Sequence, residues 1–325
     1  MYDIIKCENI EKDIEWLEFL RNQYNIFFDP VFLKYNDEFN KNFKWHHLKI
    51  RDNKTNKIVA IIPGNEKIID EKRTYFSCDG VSFAGFLWKN RLDASNYIKV
   101  IPEFKEYLIN EGFEKCIIKG MPFLYKNTPD EENEYSFFQA GFNISSYAIT
   151  NIINLDEFDF KNISGSKKRS INKSKQFIKI NSEVELNSAD EFIAFYNVLK
   201  VDRNLKNVVP THSREELEYL TQKLKKRIIL FSAEVDGVIA GICILFCITN
   251  SVVLNFYLAQ VEEYNKTGIP EYILYESINW AKKNGFKYYD IGTSSVNNKL
   301  SEGLFQFKKT FLANGFLRKN FELNL

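Results

Sequence analysis

The tightest constraint in this chain is a turn of two residues. Asp236-Gly237 separates two long apolar runs, Arg227 to Val235 and Val238 to Thr249. Both central positions of such a turn need positive φ, which Asp-Gly supplies, so the runs are fixed as an antiparallel hairpin. Ser251 to Leu258 reads as a further strand, and a loop, Ala259 to Gly268, leads from it into a helix. Pro270 opens that helix and Gly285 closes it, the positions where each residue suits a helix end. Ile273, Leu274, Ile278 and Trp280-Ala281 form its apolar face. Lys287 to Ile291 is the next strand, followed by Gly292-Thr293-Ser294-Ser295. Strands that alternate with helices after an antiparallel hairpin predict a mixed sheet with helices packed on its faces.

The same order occurs earlier in the chain. Trp45 to Arg51 and Ile58 to Pro63 flank a polar connection, Asp52 to Lys57. Residues 94–111 read as a helix ended by Gly112, and Phe113 to Lys119 as the strand after it. No literal repeat links the halves. A chain of 325 residues is long enough for two domains. The predicted boundary precedes a basic run, Ser164-Gly165-Ser166-Lys167-Lys168-Arg169, which gives domains of 1–157 and 158–325.

Composition excludes several classes. Hydrophobic residues at 45 % and charged residues at 27 % are ordinary for globular chains, which excludes wholesale disorder. Lys+Arg at 44 against Asp+Glu at 43 leaves a net charge of +1 and no global field for nucleic acid. No apolar stretch reaches the length of a membrane span, and the N-terminus lacks a signal-peptide profile. A cytoplasmic protein is the expectation. The five cysteines include no CxxC pair, and Cys243 and Cys247 lie in an apolar strand, where inert buried thiols are expected. No zinc spacing, Walker loop, HExxH or GxSxG is present, so no metal is expected.

Several segments together resemble the FemAB-like branch of the GNAT acyltransferase superfamily. They are Asp79-Gly80-Val81-Ser82-Phe83-Ala84-Gly85, Lys168-Arg169-Ser170-Ile171-Asn172-Lys173, Pro210-Thr211-His212-Ser213, Gly241, Tyr257, Leu274 to Ala281, Asn284 to Ser294, and Gly303-Leu304-Phe305-Gln306-Phe307-Lys308. The resemblance implies an α/β (mixed α+β) chain of two tandem GNAT-like domains, each a mixed, largely antiparallel sheet flanked by helices, with the main cleft in the second. It also implies transfer of an acyl group to an amine. The expected donor is an acyl-CoA such as acetyl-CoA. The expected acceptor is an amino group of a nucleotide-linked sugar or another precursor of the cell envelope or a surface polysaccharide. Aminoacyl transfer from charged tRNA, as in relatives that build peptidoglycan, is one alternative, and a non-catalytic binding module is another. The loop Gln260 to Gly268 holds one glycine where coenzyme A loops usually hold several, which favours the binding module. No long heptad segment lies between 165 and 230, so the helical arm of tRNA-dependent relatives is missing.

The chemistry sets the candidate residues. Acyl transfer to an amine needs a proton acceptor and donors for a tetrahedral oxyanion. In this fold the oxyanion donor is a backbone amide where the central strands splay, which maps to Phe256-Tyr257-Leu258. Tyr257 would protonate the leaving group, and His212, at a loop-to-helix junction, would accept the amine proton. Asp290, at a strand's carboxyl end, would orient or deprotonate the acceptor amine. Leu258, Asn265, Lys266 and Gly268 are the expected coenzyme contacts. Lys168 and Arg169, at a helix start beside Lys167 and Lys173, suit a phosphate. Thr211, Ser294 and Lys308 complete the expected substrate contacts, with Asp79 and Ser82 contributed by the first domain. His46 and His47 point to opposite faces of a strand, so one is expected in the core and the other in solvent.

Overall fold

The computed structural model describes residues 1–39, 44–89 and 94–325. The chain divides into two compact units. The first comprises Met1–Ile149, Ser295–Lys299 and Phe316–Leu325, and the second comprises Thr150–Ser294 and Leu300–Gly315. The expected division, contiguous at 157/158, thus differs from the observed one. The strand Asn143–Asn154 carries the chain from one unit to the other. The last strand, Asn314–Asn324, pairs antiparallel with Lys115–Lys119, from Asn320 opposite Lys119 to Asn324 opposite Lys115. That pairing places the chain's end in the first unit.

In the first unit, Tyr2–Cys7, His47–Asp52, Lys57–Ile62 and Leu87–Trp88 form a four-stranded sheet in that spatial order. A second group runs Lys44–Trp45, Asn65–Ile69, Lys72–Ser77, Lys115–Lys119 and the last strand. Lys72–Ser77 and Lys115–Lys119 pair in parallel, and the helix Ala94–Asn110 makes the crossover such a pair requires. Its face, with Val100, Ile101, Phe104 and Leu108, packs with Tyr75, Phe113, Ile118 and Phe321 in one core.

His46 and His47 correct the sequence expectation, because both are buried, at 1 % and 4 % exposure. They do face opposite ways, but each face is covered. His46 lies between Glu66 (Nδ1 to Oε1 3.2 Å) and Tyr107 (Nε2 to Oη 3.0 Å). His47 Nδ1 accepts from the Gly64 amide at 3.2 Å, and its ring lies 4.4 Å from that of Trp45 and 5.7 Å from that of Trp16. Burial lowers the His47 pKa to about 3, so its imidazole is neutral.

The second unit orders its strands Lys179–Asn181, Ile228–Val235, Val238–Cys247, Val252–Gln260 and Tyr288–Thr293, with 150–154 of Asn143–Asn154 after them. Asp236 and Gly237 have φ of 50° and 80°, the positive values that the two-residue hairpin demands. The run Ile242–Ile248 is buried throughout because helices cover both faces of the sheet. On one face the helix Ile269–Lys283, hereafter the wall helix, packs Ile269, Ile273, Leu274 and Ile278 against Cys243, Leu245, Val253 and Tyr289. The long helix Ala189–Leu205 packs against the same two central strands, burying Phe192, Phe195 and Leu199. Phe305 to Lys309, whose aromatic residues alternate with polar ones in the sequence, is helical (Glu302–Lys309). Five residues of alternation yield to backbone bonds such as Phe305 N to Ser301 O at 2.9 Å.

Gly241 marks the closest approach of the wall helix to the sheet. A Cβ there would lie 2.4 Å from Ile269 Cγ2, on a side chain with no exposed surface. Gly241→Leu is therefore expected to cost about 1–3 kcal/mol by overpacking. A lowered urea midpoint at unchanged slope would report that loss.

Candidate active site

The site begins with two strands that part. Val252 to Leu254 pair in parallel with Tyr288 to Asp290, and no further pairs join these strands, although they continue to Gln260 and Thr293. On its other edge the central strand Val252–Gln260 carries a bulge. Ile244 faces Tyr257 but Leu245 faces Asn255, which leaves Phe256 as the extra residue. A bulge re-aims a strand and its side chains. Here it puts Tyr257 on the same sheet face as Leu254 and Asp290. Phe256-Tyr257-Leu258 follow on the central strand beyond Leu254, where its pairing with Tyr288–Thr293 has ended.

Tyr257 and His212 meet at this point. Tyr257 Oη accepts from the His212 backbone N–H at 3.0 Å and lies 2.9 Å from His212 Nδ1. With the amide donating to Oη, the phenol proton goes to Nδ1, which places the ring proton on Nε2. His212 is held from both sides in sequence. Its carbonyl accepts from Tyr196 Oη at 2.9 Å. Ser213, the next residue, forms a capping box with Glu216 at the start of the helix Arg214–Lys223. The His212 ring packs 5.1 Å from that of Phe256, and the Arg203 guanidinium lies 5.7 Å from the Tyr257 ring centroid.

Burial sets the protonation states. It lowers the His212 pKa to about 4, so the imidazole is a neutral acceptor at pH 7. Burial pushes the Tyr257 phenol up to about 12, against hydrogen bonds from the His212 backbone and the Thr211 side chain and the charge of Arg203. The phenol therefore keeps its proton and can donate it. Tyr196 and Arg203 were not among the sequence candidates. Their spacing of seven residues on one helix, just before Pro210-Thr211-His212, is the signal that points to them.

The end of the splayed strand is tied down by its own contacts. Asp290 has no exposed surface. Its Oδ1 accepts from Thr150 Oγ1 at 2.6 Å and from the Gly292 amide at 2.7 Å. Lys308 Nζ donates to the Gly292 and Thr293 carbonyls at 2.8 and 2.7 Å. Ser294 is also fully buried and donates to Asn151 Oδ1 at 2.6 Å. Asp290, an expected catalytic residue, and Lys308 and Ser294, expected substrate contacts, thus engage the protein itself. Thr150→Val removes one donor to the buried Asp290 carboxylate at nearly constant volume. It is expected to cost about 1–3 kcal/mol, visible as a lowered melting temperature.

The expected coenzyme residues surround the start of the wall helix. Leu258 is half-buried, and Asn265 and Lys266 are exposed. Asn265 Oδ1 accepts from Gln260 Nε2 at 2.8 Å. Gly268 caps the helix at φ 83°, and a Cβ there would lie 2.4 Å from Ser174 Oγ and 2.5 Å from Ser170 Oγ. The helix Gly165–Ser174 thus packs against this corner, with Lys167 Nζ 2.6 Å from Glu271 Oε1. Lys168 Nζ donates to the Lys161 carbonyl at 2.9 Å, and Arg169 is exposed on the same helix. A coenzyme A pyrophosphate needs several convergent amides without opposing charge. Here Pro270 removes one amide, the two serines crowd Gly268, and Glu262, Glu263 and Glu271 bring negative charge. These residues do not fit that group.

In the first unit, Asp79 Oδ2 lies 2.6 Å from Lys67 Nζ, and Ser82 is half-buried nearby in the chain. Lys119 Nζ donates to the Cys78 and Val81 carbonyls at 3.2 and 2.5 Å, which fixes this loop. Among the described residues, no group of three or more His, Cys, Asp or Glu could hold a metal ion. No described helix is long and apolar enough to cross a membrane.

Comparison with known proteins gives this arrangement a class. Residues 165–309 match the Acetyltransferase (GNAT) domain family. No curated protein sequence matches the chain. Among solved structures, FemX superposes with a TM-score of 0.70 at 13 % identity, covering 99 % of this chain and 97 % of that one. L-PGS from Bacillus licheniformis superposes at 0.65 with 12 % identity, covering 99 % and 94 %. A tandem GNAT protein from the clavulanic acid biosynthesis pathway superposes at 0.55 with 8 % identity, covering 99 % and 98 %. At such identities the likeness is one of fold. The second unit carries a GNAT acetyltransferase domain, and the whole chain has the tandem fold of the FemAB-like branch. It is an N-acyltransferase of the GNAT type.

Proposed function

We propose that the second unit moves an acyl group from an activated ester or thioester to an amino group of a cell-envelope precursor, with a nucleotide-linked amino sugar as the favoured acceptor. The observation that carries this reading is the hydrogen bond between neutral His212 and protonated Tyr257 beside the parted strands. The new C–N bond forms as the donor's C–O or C–S bond breaks. The amine's proton passes to Tyr257 Oη as the phenol hands its own proton to His212 Nδ1, and the relay then runs back, Tyr257 protonating the departing oxygen or sulfur as His212 Nδ1 returns a proton to Oη. Backbone amides along Phe256-Tyr257-Leu258 stabilise the oxyanion. Asp290 and Lys308 hold the strand end that shapes the opening. Lys168 and Arg169 would meet a phosphate of the acceptor, and Thr211 one of its polar groups.

A second reading concerns the donor. The acids and Pro270 at the start of the wall helix favour an aminoacyl ester of tRNA over acyl-CoA. Incubation with acetyl-CoA or a charged tRNA, each with uridine-diphosphate amino sugars, tests both readings. The expected result is a protein-dependent gain of one acyl mass on the amine. No product from either donor with any acceptor would overturn the proposal.

A further inference from the structure

The second unit contains a groove of about 840 Å³ that acyl transfer does not use. Its volume lies within the usual range for small-molecule sites. It follows a sheet edge that Lys179–Asn181 covers only at Ser232–Glu234, beyond which the Val184 amide donates to the Leu230 carbonyl at 2.9 Å. Ile229, Leu230 and Cys247 form a buried lining. Trp280 and Phe286 form an aromatic wall, with ring centroids 5.9 Å apart and planes at 29°. The Trp280 indole N–H is buried and has no acceptor. Such a donor gains from any acceptor brought beside it.

The rim supplies charge. Lys225, Lys226 and Arg227 are consecutive on it, and Glu183 and Glu185 stand on it too. Arg227 donates to Asn250 Oδ1 at 3.2 and 3.3 Å. Lys225 and Lys226 make no hydrogen bond or ion pair among the described residues. Phe192 of the long helix and Thr221 and Gln222 of the helix that begins beside His212 also line the groove, but neither His212 nor Tyr257 does.

We propose that this groove is a second small-molecule site, which takes a planar organic acid. The ring lies against Trp280 and Phe286, an acceptor meets the Trp280 N–H, and the acid meets Lys225 and Lys226. The chain has four tryptophans, so four indole N–H signals are expected from ¹⁵N-labelled protein. The Trp280 signal is the one lost in Trp280→Phe. Titration with 2-naphthoate should move that signal alone, and saturably. Lys225→Ala/Lys226→Ala, and replacement of the probe by uncharged 2-naphthylmethanol, should each weaken binding by about tenfold or more. His212→Gln should leave binding unchanged. An unmoved Trp280 signal at millimolar 2-naphthoate would overturn the site. Equal binding by the double-alanine variant would overturn the acid preference, and loss of binding in His212→Gln would overturn its separateness.

Discussion

His212→Gln is expected to lower kcat for acyl transfer by roughly 10²–10⁴-fold, the usual worth of a positioned proton acceptor, with KM nearly unchanged. Glutamine can keep a hydrogen bond to Tyr257 Oη, where the imidazole nitrogen now lies 2.9 Å away. The backbone bonds that hold this position, to Tyr257 and from Tyr196, do not depend on the side chain. The substitution therefore separates proton transfer from architecture. A melting temperature close to the parent's, with kcat collapsed, is the expected pair of results. A variant that lost only affinity for the amine would assign His212 to binding instead.

Acidification should destabilise both units well before carboxylates titrate. His212 and His47 have pKa values of about 4 and about 3 when folded, against an ordinary 6.5. Between these limits the unfolded chain binds protons that the folded chain refuses. Stability therefore falls as pH falls below 6.5, and the loss from each histidine levels off near its folded value. At pH 5 each histidine accounts for a loss of about 2 kcal/mol. One residue lies in each unit, so both should melt earlier, by several degrees between pH 7 and pH 5. His46 adds to the trend, since burial lowers its pKa as well. In His212→Gln the second unit should lose most of this dependence. Melting temperatures flat from pH 7 to 5 would mean that neither imidazole is held neutral inside the fold.

Features written in local residues were readable from the sequence. Asp236-Gly237 dictated the hairpin, and Pro270 and Gly285 framed the wall helix. Features that depend on pairing partners were not. Phe256 is the bulge residue, yet nothing in Asn255-Phe256-Tyr257 announces a bulge, since no glycine is needed there. The His212–Tyr257 bond joins residues 45 positions apart, and only the folded sheet brings them together. The same holds for Asp290 with Thr150, 140 positions apart. The last strand's place beside Lys115–Lys119 is a matter of register that its own alternation does not encode. The histidine pair shows a different limit. Period-two alternation correctly separated His46 from His47, but it carries no information on whether the second face is covered.

A double-mutant cycle on His212 and Tyr257 tests the central claim most directly. It would measure single-turnover acyl transfer to the amine for the parent, His212→Gln, Tyr257→Phe and the double variant. If the two groups pass one proton through one hydrogen bond, their losses overlap. The account predicts a double variant little slower than His212→Gln alone. Losses that multiply, or single variants that keep the parent's rate, would contradict it.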